Sequence, residues 1–371
     1  MAKLNSSFRG HAQPVLSLSF DKENGKIASG SGDGVLHLFD IKTSQSAFKF
    51  AFDGTDEENE VAALAFIPGS QNLLVASGQD ACLLDPRSDS KPVLIAKAAD
   101  QINSIVIPTA QPSPNTAVFA DDTGDISTID FRKPGGKLLK TWTAHTNICM
   151  HAAFGATPSD LYSGGFDYHI HRWDISNGAR LDSINVSTLS SNKDQANPNS
   201  EIESINPPFV YNLAMHPSAS SNKMAAALGN GSVVIVQRDA GPKANKKKKT
   251  RPCVVDAVVP VHSWSCTVVE FWRSDSLEAG AGDVVISGGL DGCIGVLGVP
   301  GLTEPNEQSQ NQTTYPLKGK YPVGRKVDGL ICLGEGVNLD DGRATVRVAV
   351  AGCATTKVRD AGAVDVWDVP V

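Results

Sequence analysis

Paired cysteine is the first thing this sequence lacks. Its seven cysteines (Cys82, Cys149, Cys253, Cys266, Cys293, Cys332, Cys353) are odd in number and contain no CxxC pair, so neither a disulfide framework nor a zinc cluster is expected. Long apolar runs are missing too: no stretch of about 18 apolar residues occurs, which excludes a membrane-spanning helix. The opening MAKLNSSFRGHAQP has no apolar core ahead of a cleavage site, so an intracellular chain with free thiols is expected, nuclear or cytoplasmic. Positive charge is scarce, 33 Lys and Arg against 40 Asp and Glu for a net −7. That disfavours a general nucleic-acid binder, because phosphate neutralisation needs a basic surface. No GxGxxG leads into a helix, and neither a Gly-Lys-Ser/Thr phosphate loop nor a GxSxG elbow is present. Nothing in these motifs asks for a cofactor, and no enzyme is expected.

What is abundant is punctuation. Glycine (34) and proline (21) supply about one residue in seven, spread along the whole chain, which leaves little room for long helices and favours short strands with frequent turns. At 371 residues with 41% hydrophobic content, the chain suits two or three small domains or one large repetitive architecture.

Internal repetition decides between them. IASGSGDGVLHLFD (27–40), LYSGGFDYHIHRWD (161–174) and VISGGLDGCIGVLG (285–298) share one pattern. A Ser-Gly (Ser29, Ser163, Ser287) is followed four residues on by Asp (Asp33, Asp167, Asp291), and six further on by a large apolar residue (Phe39, Trp173, Leu297). Weaker copies lie at 74–85, 117–130 and 224–239, and the last stretch, 347–368, ends in Trp367-Asp368. A histidine and an alternating strand precede each strong copy: His11 before VLSLSF, His145 before ICMHAAF and His262 before CTVVEF. The order predicts radially arranged four-stranded sheets, an all-β, seven-bladed WD40-type β-propeller. Its blades fall near 10–50, 52–95, 98–140, 143–185, 208–260, 262–318 and 325–371. The last blade is one strand short at its C-terminal end, and residues 3–8 are a spare strand that would complete it and remove an exposed edge. Insertions at 186–205, 240–251 and 302–314 read as loops within a single propeller spanning 1–371.

The recurring His, Ser and Asp invite a hydrolase reading, most of all at His145, Ser163, Asp167 and Trp173. A structural reading is stronger: turn Asp to loop His, His to strand Ser, Ser to the indole. Such buried groups are tolerable when every donor and acceptor is paired. The same set recurs as His11, Ser29, Asp33 and as His262, Ser287, Asp291, and an active site would not be expected three times. No metal ligand set is expected; His169 and His171, two apart on one strand, read as a solvated face for want of a neighbouring carboxylate or thiol. The basic run at Lys246, Lys247, Lys248 and Lys249 reads either as a solvated loop or as a nuclear-localisation signal.

With these motifs the chain resembles the WD-repeat superfamily over essentially its full length. More narrowly it resembles the WD repeat-containing protein 53 family, through LLDPRSDS (83–90), DQINSIVI (100–107), HTNICMHAAF (145–154) and INPPFVYNLAMHP (205–217). The resemblance implies a non-catalytic scaffold that serves as substrate receptor for a cullin-4 ubiquitin ligase. Many such receptors carry a box ending in Trp-Asp-any-Arg, whose Arg reaches the ligase adaptor. Leu84-Asp85-Pro86-Arg87 and Ile129-Asp130-Phe131-Arg132 keep its Asp and Arg without the Trp, whereas Trp173-Asp174-Ile175-Ser176 keeps Trp-Asp without the Arg. The expected partners are therefore other proteins, the cullin-4 adaptor and a substrate, bound by a monomer. The alternative is a reader of histone or other peptide tails, with Asp56, Glu57, Glu58 and Trp264 as pocket residues.

Overall fold

The computed structural model describes residues 1–53, 59–88, 91–108, 114–132, 138–189, 206–218, 221–238, 252–273, 283–300, 315–335, 344–352 and 362–371. Seven four-stranded antiparallel sheets form the blades of a closed ring. Blade one is Val15–Asp21, Lys26–Ser31, Val35–Asp40 and Gln45–Ala51, counted from the axis outward. The other inner strands are Ala63–Phe66, Ile102–Val106, Cys149–Phe154, Val210–Met215, Cys266–Trp272 and Gly329–Glu335. The one helical element among the described residues is a single 3-10 turn at Val186–Thr188.

The core is divided among the gaps between blades. Leu36, Leu38, Val61 and Leu73 pack between blades one and two, Ile170, Val210 and Leu213 between four and five, and Val268, Ile286 and Val348 between six and seven. Second and third strands are therefore covered on both faces, as in the fully buried Asp160–Gly165. Outer strands alternate instead, as Leu138–Thr143 does between half-buried and exposed. The Ser-Gly of each strong repeat has a packing cause. A Cβ on Gly30, Gly164 or Gly288 would lie 2.3 Å from Val61, Val210 or Val327, residues that lead into the next blade, so only glycine lets the blades approach this closely.

Inner strands are also stapled sideways. Ser19 Oγ accepts the Phe66 N–H at 3.1 Å, Ser104 Oγ that of Ala152 at 3.3 Å, His151 Nδ1 that of Leu213 at 3.4 Å, and Asn212 Oδ1 that of Val269 at 3.2 Å. Glu270 does the same for Cys332 at 2.6 Å, and burial pushes its carboxyl up to about 8.

Lys3–His11 pairs antiparallel with Gly362–Pro370, putting the start and end of the chain in one sheet. The strand runs three residues past the expected 3–8, so that His11 closes it. Ser7 donates to Asp365 at 2.6 Å, and the buried Arg325 donates Nε to the other oxygen of that carboxylate at 2.7 Å. Phe8 is buried and stacks on Phe39 of blade one, centroids 4.9 Å apart. Of the expected loop at 186–205, the first residues are ordered: Val186 is buried and donates its N–H to Tyr168 O. Residues 190–205, 240–251 and 302–314, with Lys246–Lys249 and Asp56, Glu57 and Glu58, lie outside the described residues.

Candidate functional site: two faces of the ring

Antiparallel pairing sorts the connections onto two faces. The histidine loops and Asp turns lie at one end of the ring; the ends of the third strands, with Asp40, Asp85, Asp130 and Asp174, lie at the other.

On the first face, blade four carries the full network. His145 Nδ1 meets Asp167 at 2.8 Å and Nε2 meets Ser163 Oγ at 2.8 Å, while the Trp173 indole donates to the same Oγ at 2.8 Å. Blade six matches it, with His262 to Asp291 and to Ser287 both at 2.9 Å, and Leu297 in place of the indole. In blade one His11 reaches Ser29 at 2.7 Å, but its Nδ1 stands 3.7 Å from Asp33, beyond hydrogen-bond reach. Asp33 turns to the Ala12 N–H instead, at 2.6 Å. Each histidine ends or follows the outer strand of the preceding blade, so the network also locks blade to blade. Burial opposes ionisation of Asp167, but hydrogen bonds from His145 and the Thr146 and His169 amides outweigh it and hold the carboxyl at about 2. Ser163 Oγ is engaged by both His145 and the Trp173 indole, and the residue is 0% exposed. A hydroxyl this deeply buried cannot meet a substrate carbonyl, so the hydrolase geometry is missing here.

The strand-face reading of His171 needs correction. The ring is buried, because third strands are packed on both sides, and Asp167 comes beside it across the turn. Its Nδ1 has no hydrogen-bond partner, and burial, with His145 and Arg180 nearby, pushes the imidazole down to about 3. His169 is partly exposed, its Nδ1 at 2.7 Å from the Asp167 carbonyl. Nothing in the spacing separates this strand from one with a wet face; the repeat's own Asp was the signal to weigh.

The ring axis is a channel of about 350 Å³ whose lining includes Glu60, Asn103, His151, Tyr211, Thr267 and Asp328. Burial raises Asp328 to about 6 and lowers His151 to about 4. From Tyr211 at its wall an aromatic ladder runs outward. Phe166 lies 5.1 Å from Tyr211 and 4.5 Å from Phe209, and Tyr168 lies 5.3 Å from Phe209. Trp264, 60% exposed, sits on the loop beyond, tied to the ladder's segment by the Asn206–Ser265 contact at 3.5 Å. Of these aromatic residues the sequence singles out Trp264, beside Asp56, Glu57 and Glu58, since the ladder joins two blades.

On the opposite face Arg87 and Arg132 occupy the same position in adjacent blades. Each guanidinium grips the Asp two residues before it: Arg87 Nε and Nη2 donate to Asp85 at 2.8 Å each, and Arg132 does so to Asp130 at 2.9 and 2.8 Å. Each Asp also accepts its Arg's backbone N–H. The side chains stand 58% and 57% exposed. The guanidinium holds the Asp85 carboxyl below its ordinary range. In blade four Ser176 fills the Arg position and caps Asp174 with its own hydroxyl, at 2.5 Å.

Comparison with known proteins agrees with this geometry. The WD domain, G-beta repeat model matches residues 2–40. Striatin-4 of Homo sapiens is 28% identical over 180 residues, 47% of this chain and 23% of that protein. The matched region thus spans about a quarter of that relative. The WD repeat-containing protein 53 homolog of Dictyostelium discoideum is 26% identical over 244 residues, 61% of this chain and 62% of that protein. Cell division cycle 20.1, cofactor of APC complex, of Arabidopsis thaliana is 32% identical over 74 residues, 19% and 16%. Seven four-stranded blades with the repeated His–Ser–Asp network make the fold a seven-bladed WD40-type β-propeller, and the chain is similar to these WD-repeat proteins.

Proposed function

We propose that this propeller is a non-catalytic interaction scaffold that acts as a substrate receptor of a cullin-4 ubiquitin ligase, docking on the ligase adaptor through Arg87 and Arg132. One observation carries the reading: two Asp-anchored guanidinium groups stand at matching positions of neighbouring blades, on one face, with more than half of each side chain exposed. The Asp grip, joined in blade two by a bond from Arg87 Nη2 to Asn72 at 3.3 Å, fixes the plane of the fork, so less rotamer freedom would be lost on docking. Lys246–Lys249, in the insertion between the third and fourth strands of blade five, would serve nuclear localisation separately. The test is the Arg87→Ala, Arg132→Ala double variant. Both residues lie outside the core, so its melting temperature stays unchanged while adaptor recovery in co-precipitation falls about thirtyfold, the equivalent of roughly 2 kcal/mol. A folded double variant that recovers the adaptor at full level sinks the assignment.

The aromatic ladder favours a second reading, a peptide-tail reader on the opposite face. Tyr211, with Glu60 and Asp328 in the channel behind it, suits a cationic side chain by charge and ring face. Recovery of histones without the cullin adaptor would select it.

A further inference from the structure

Blade four has one ring nitrogen more than its network uses. A nitrogen of His145, an oxygen of Asp167 and a nitrogen of His171 lie within 4.8 Å of one another. His171 is 3% exposed, and its Nδ1 meets no donor or acceptor. A buried polar atom left without a partner is rare enough to ask for a reason. The ring stacks on two others, 4.7 Å from His145 and 5.2 Å from His169, which keeps it beside the His145–Asp167 pair. Asp167 is oriented by the His169 N–H, at 3.2 Å, on the oxygen that meets His145 and by the Thr146 N–H, at 3.1 Å, on the other.

The repeat supplies its own controls. Strand register puts His171 opposite Ser163, and the matching positions opposite Ser287 and Ser29 are Gly295 and His37. Blade six thus has the close His–Asp pair without a third donor. Blade one has the third donor, but its His11–Asp33 pair is open at 3.7 Å. Blade four combines both.

We infer that His145, Asp167 and His171 form a binding site for a divalent transition cation, zinc above all, with two imidazole nitrogens, one carboxylate oxygen and a fourth position open. Borderline nitrogen and oxygen donors in a compact group suit zinc, which takes ligand sets of this kind with a water in the remaining place. Bonds of about 2.0–2.2 Å in a tetrahedron set ligand atoms roughly 3.3 Å apart. The His145–Asp167 contact therefore opens by about half an ångström, His171 closes in, and the proton joining His145 to Asp167 leaves to water. Ser163 stays on His145 Nε2 and orients the ring from behind, as outer partners of metal-bound histidines do.

The experiment titrates the full-length protein with zinc chloride by calorimetry and with cobalt(II) chloride by visible absorption. One zinc per chain, a raised melting temperature and the intense bands of tetrahedral cobalt are expected. His171→Leu should fold as the parent does, since His171 Nδ1 has no bond to lose, yet bind zinc at least about a hundredfold more weakly, because even outer-shell contacts are worth roughly 10–100-fold. His171→Phe keeps the ring stack and gives the same reading should the leucine variant misfold. His37→Leu should keep the site. No one-to-one zinc binding by the parent, or parental affinity in a folded His171 variant, overturns the proposal.

Discussion

Blades one and four follow the same sequence pattern and are held in different ways. Blade four is polar at its heart: Ser163 serves both His145 and the Trp173 indole, and Asp167 clamps the far side of the histidine. Blade one has Phe39 where the indole stands, and the ring is held by stacking. Phe8 lies 4.9 Å to one side and His37 5.3 Å to the other. Phe8 belongs to the strand that completes blade seven. The difference follows position: the blade next to the chain closure trades a hydrogen-bond network for an apolar grip on the closing strand. A buried network locks geometry but must be satisfied throughout, whereas an apolar stack tolerates the looser 3.7 Å His11–Asp33 spacing.

The harshest challenge to this contrast is removal of residues 1–9. It strips Phe8 from Phe39, takes Ser7 from Asp365 and bares the edge of Gly362–Pro370. Losing a buried Phe alone costs about 3–5 kcal/mol, and an unpaired strand edge invites association. We expect a loss above about 5 kcal/mol by denaturant unfolding, larger than for any single substitution, with aggregation. Melting indistinguishable from the full chain would show that blade one does not depend on the closing strand.

Serine truncation compares the blades directly. Ser163→Ala leaves both His145 Nε2 and the Trp173 indole unpaired, at about 1–3 kcal/mol for each buried group, whereas Ser29→Ala abandons His11 alone. The expected costs are about 3 kcal/mol in blade four and about 1.5 kcal/mol in blade one. Equal losses would mean that the indole bond adds nothing.

Acid reaches the two blades through different residues. Burial lowers His37 of blade one and His151 of blade four from 6.5 to about 4, and His171 lower still. A histidine held below its unfolded value is neutral in the fold and takes up a proton more readily when unfolded. Its contribution is whole above pH 6.5 and is lost as pH falls toward 4. The His37→Phe, His151→Phe double variant should flatten the fall in unfolding free energy across that window. A slope as steep as the parent's assigns the acid sensitivity elsewhere.

How much of this was legible beforehand follows from what a one-dimensional pattern can hold. The spacing from Ser to Asp and on to the large residue carried the blades, since turn and strand lengths inside one sheet are local quantities. So was the carboxylate–guanidinium spacing of Asp85 with Arg87 and Asp130 with Arg132. What crosses from blade to blade was not legible: Phe8 stacking on Phe39, the Ser19 and His151 staples, the ladder from Tyr168 to Tyr211. His171 was misread for a related reason, because alternation reports two faces of a strand without telling that a neighbouring blade covers both.

The finest comparison lies in the turns that leave the third strands. In blade one the Ser44 N–H bonds the Asp40 carbonyl at 2.9 Å, and in blade four Gly178 bonds Asp174 at 2.7 Å, so the two turns are equivalent. Both residues are left-handed, Ser44 at φ 56° and Gly178 at φ 73°. A side chain in that region costs about 1–2 kcal/mol, and glycine returns part of the saving through its greater freedom when unfolded. Ser44→Gly should therefore stabilise the protein by about 0.5–1 kcal/mol. Gly178→Ser should destabilise it by a similar amount, since the added Cβ meets first only the tip of the Lys140 side chain, at 2.9 Å, which can swing away. Opposite signs from the reciprocal exchanges, read from denaturation midpoints at constant slope, are the expected result. A loss on Ser44→Gly would mean that the serine side chain holds this turn of blade one in a way that the backbone alone does in blade four.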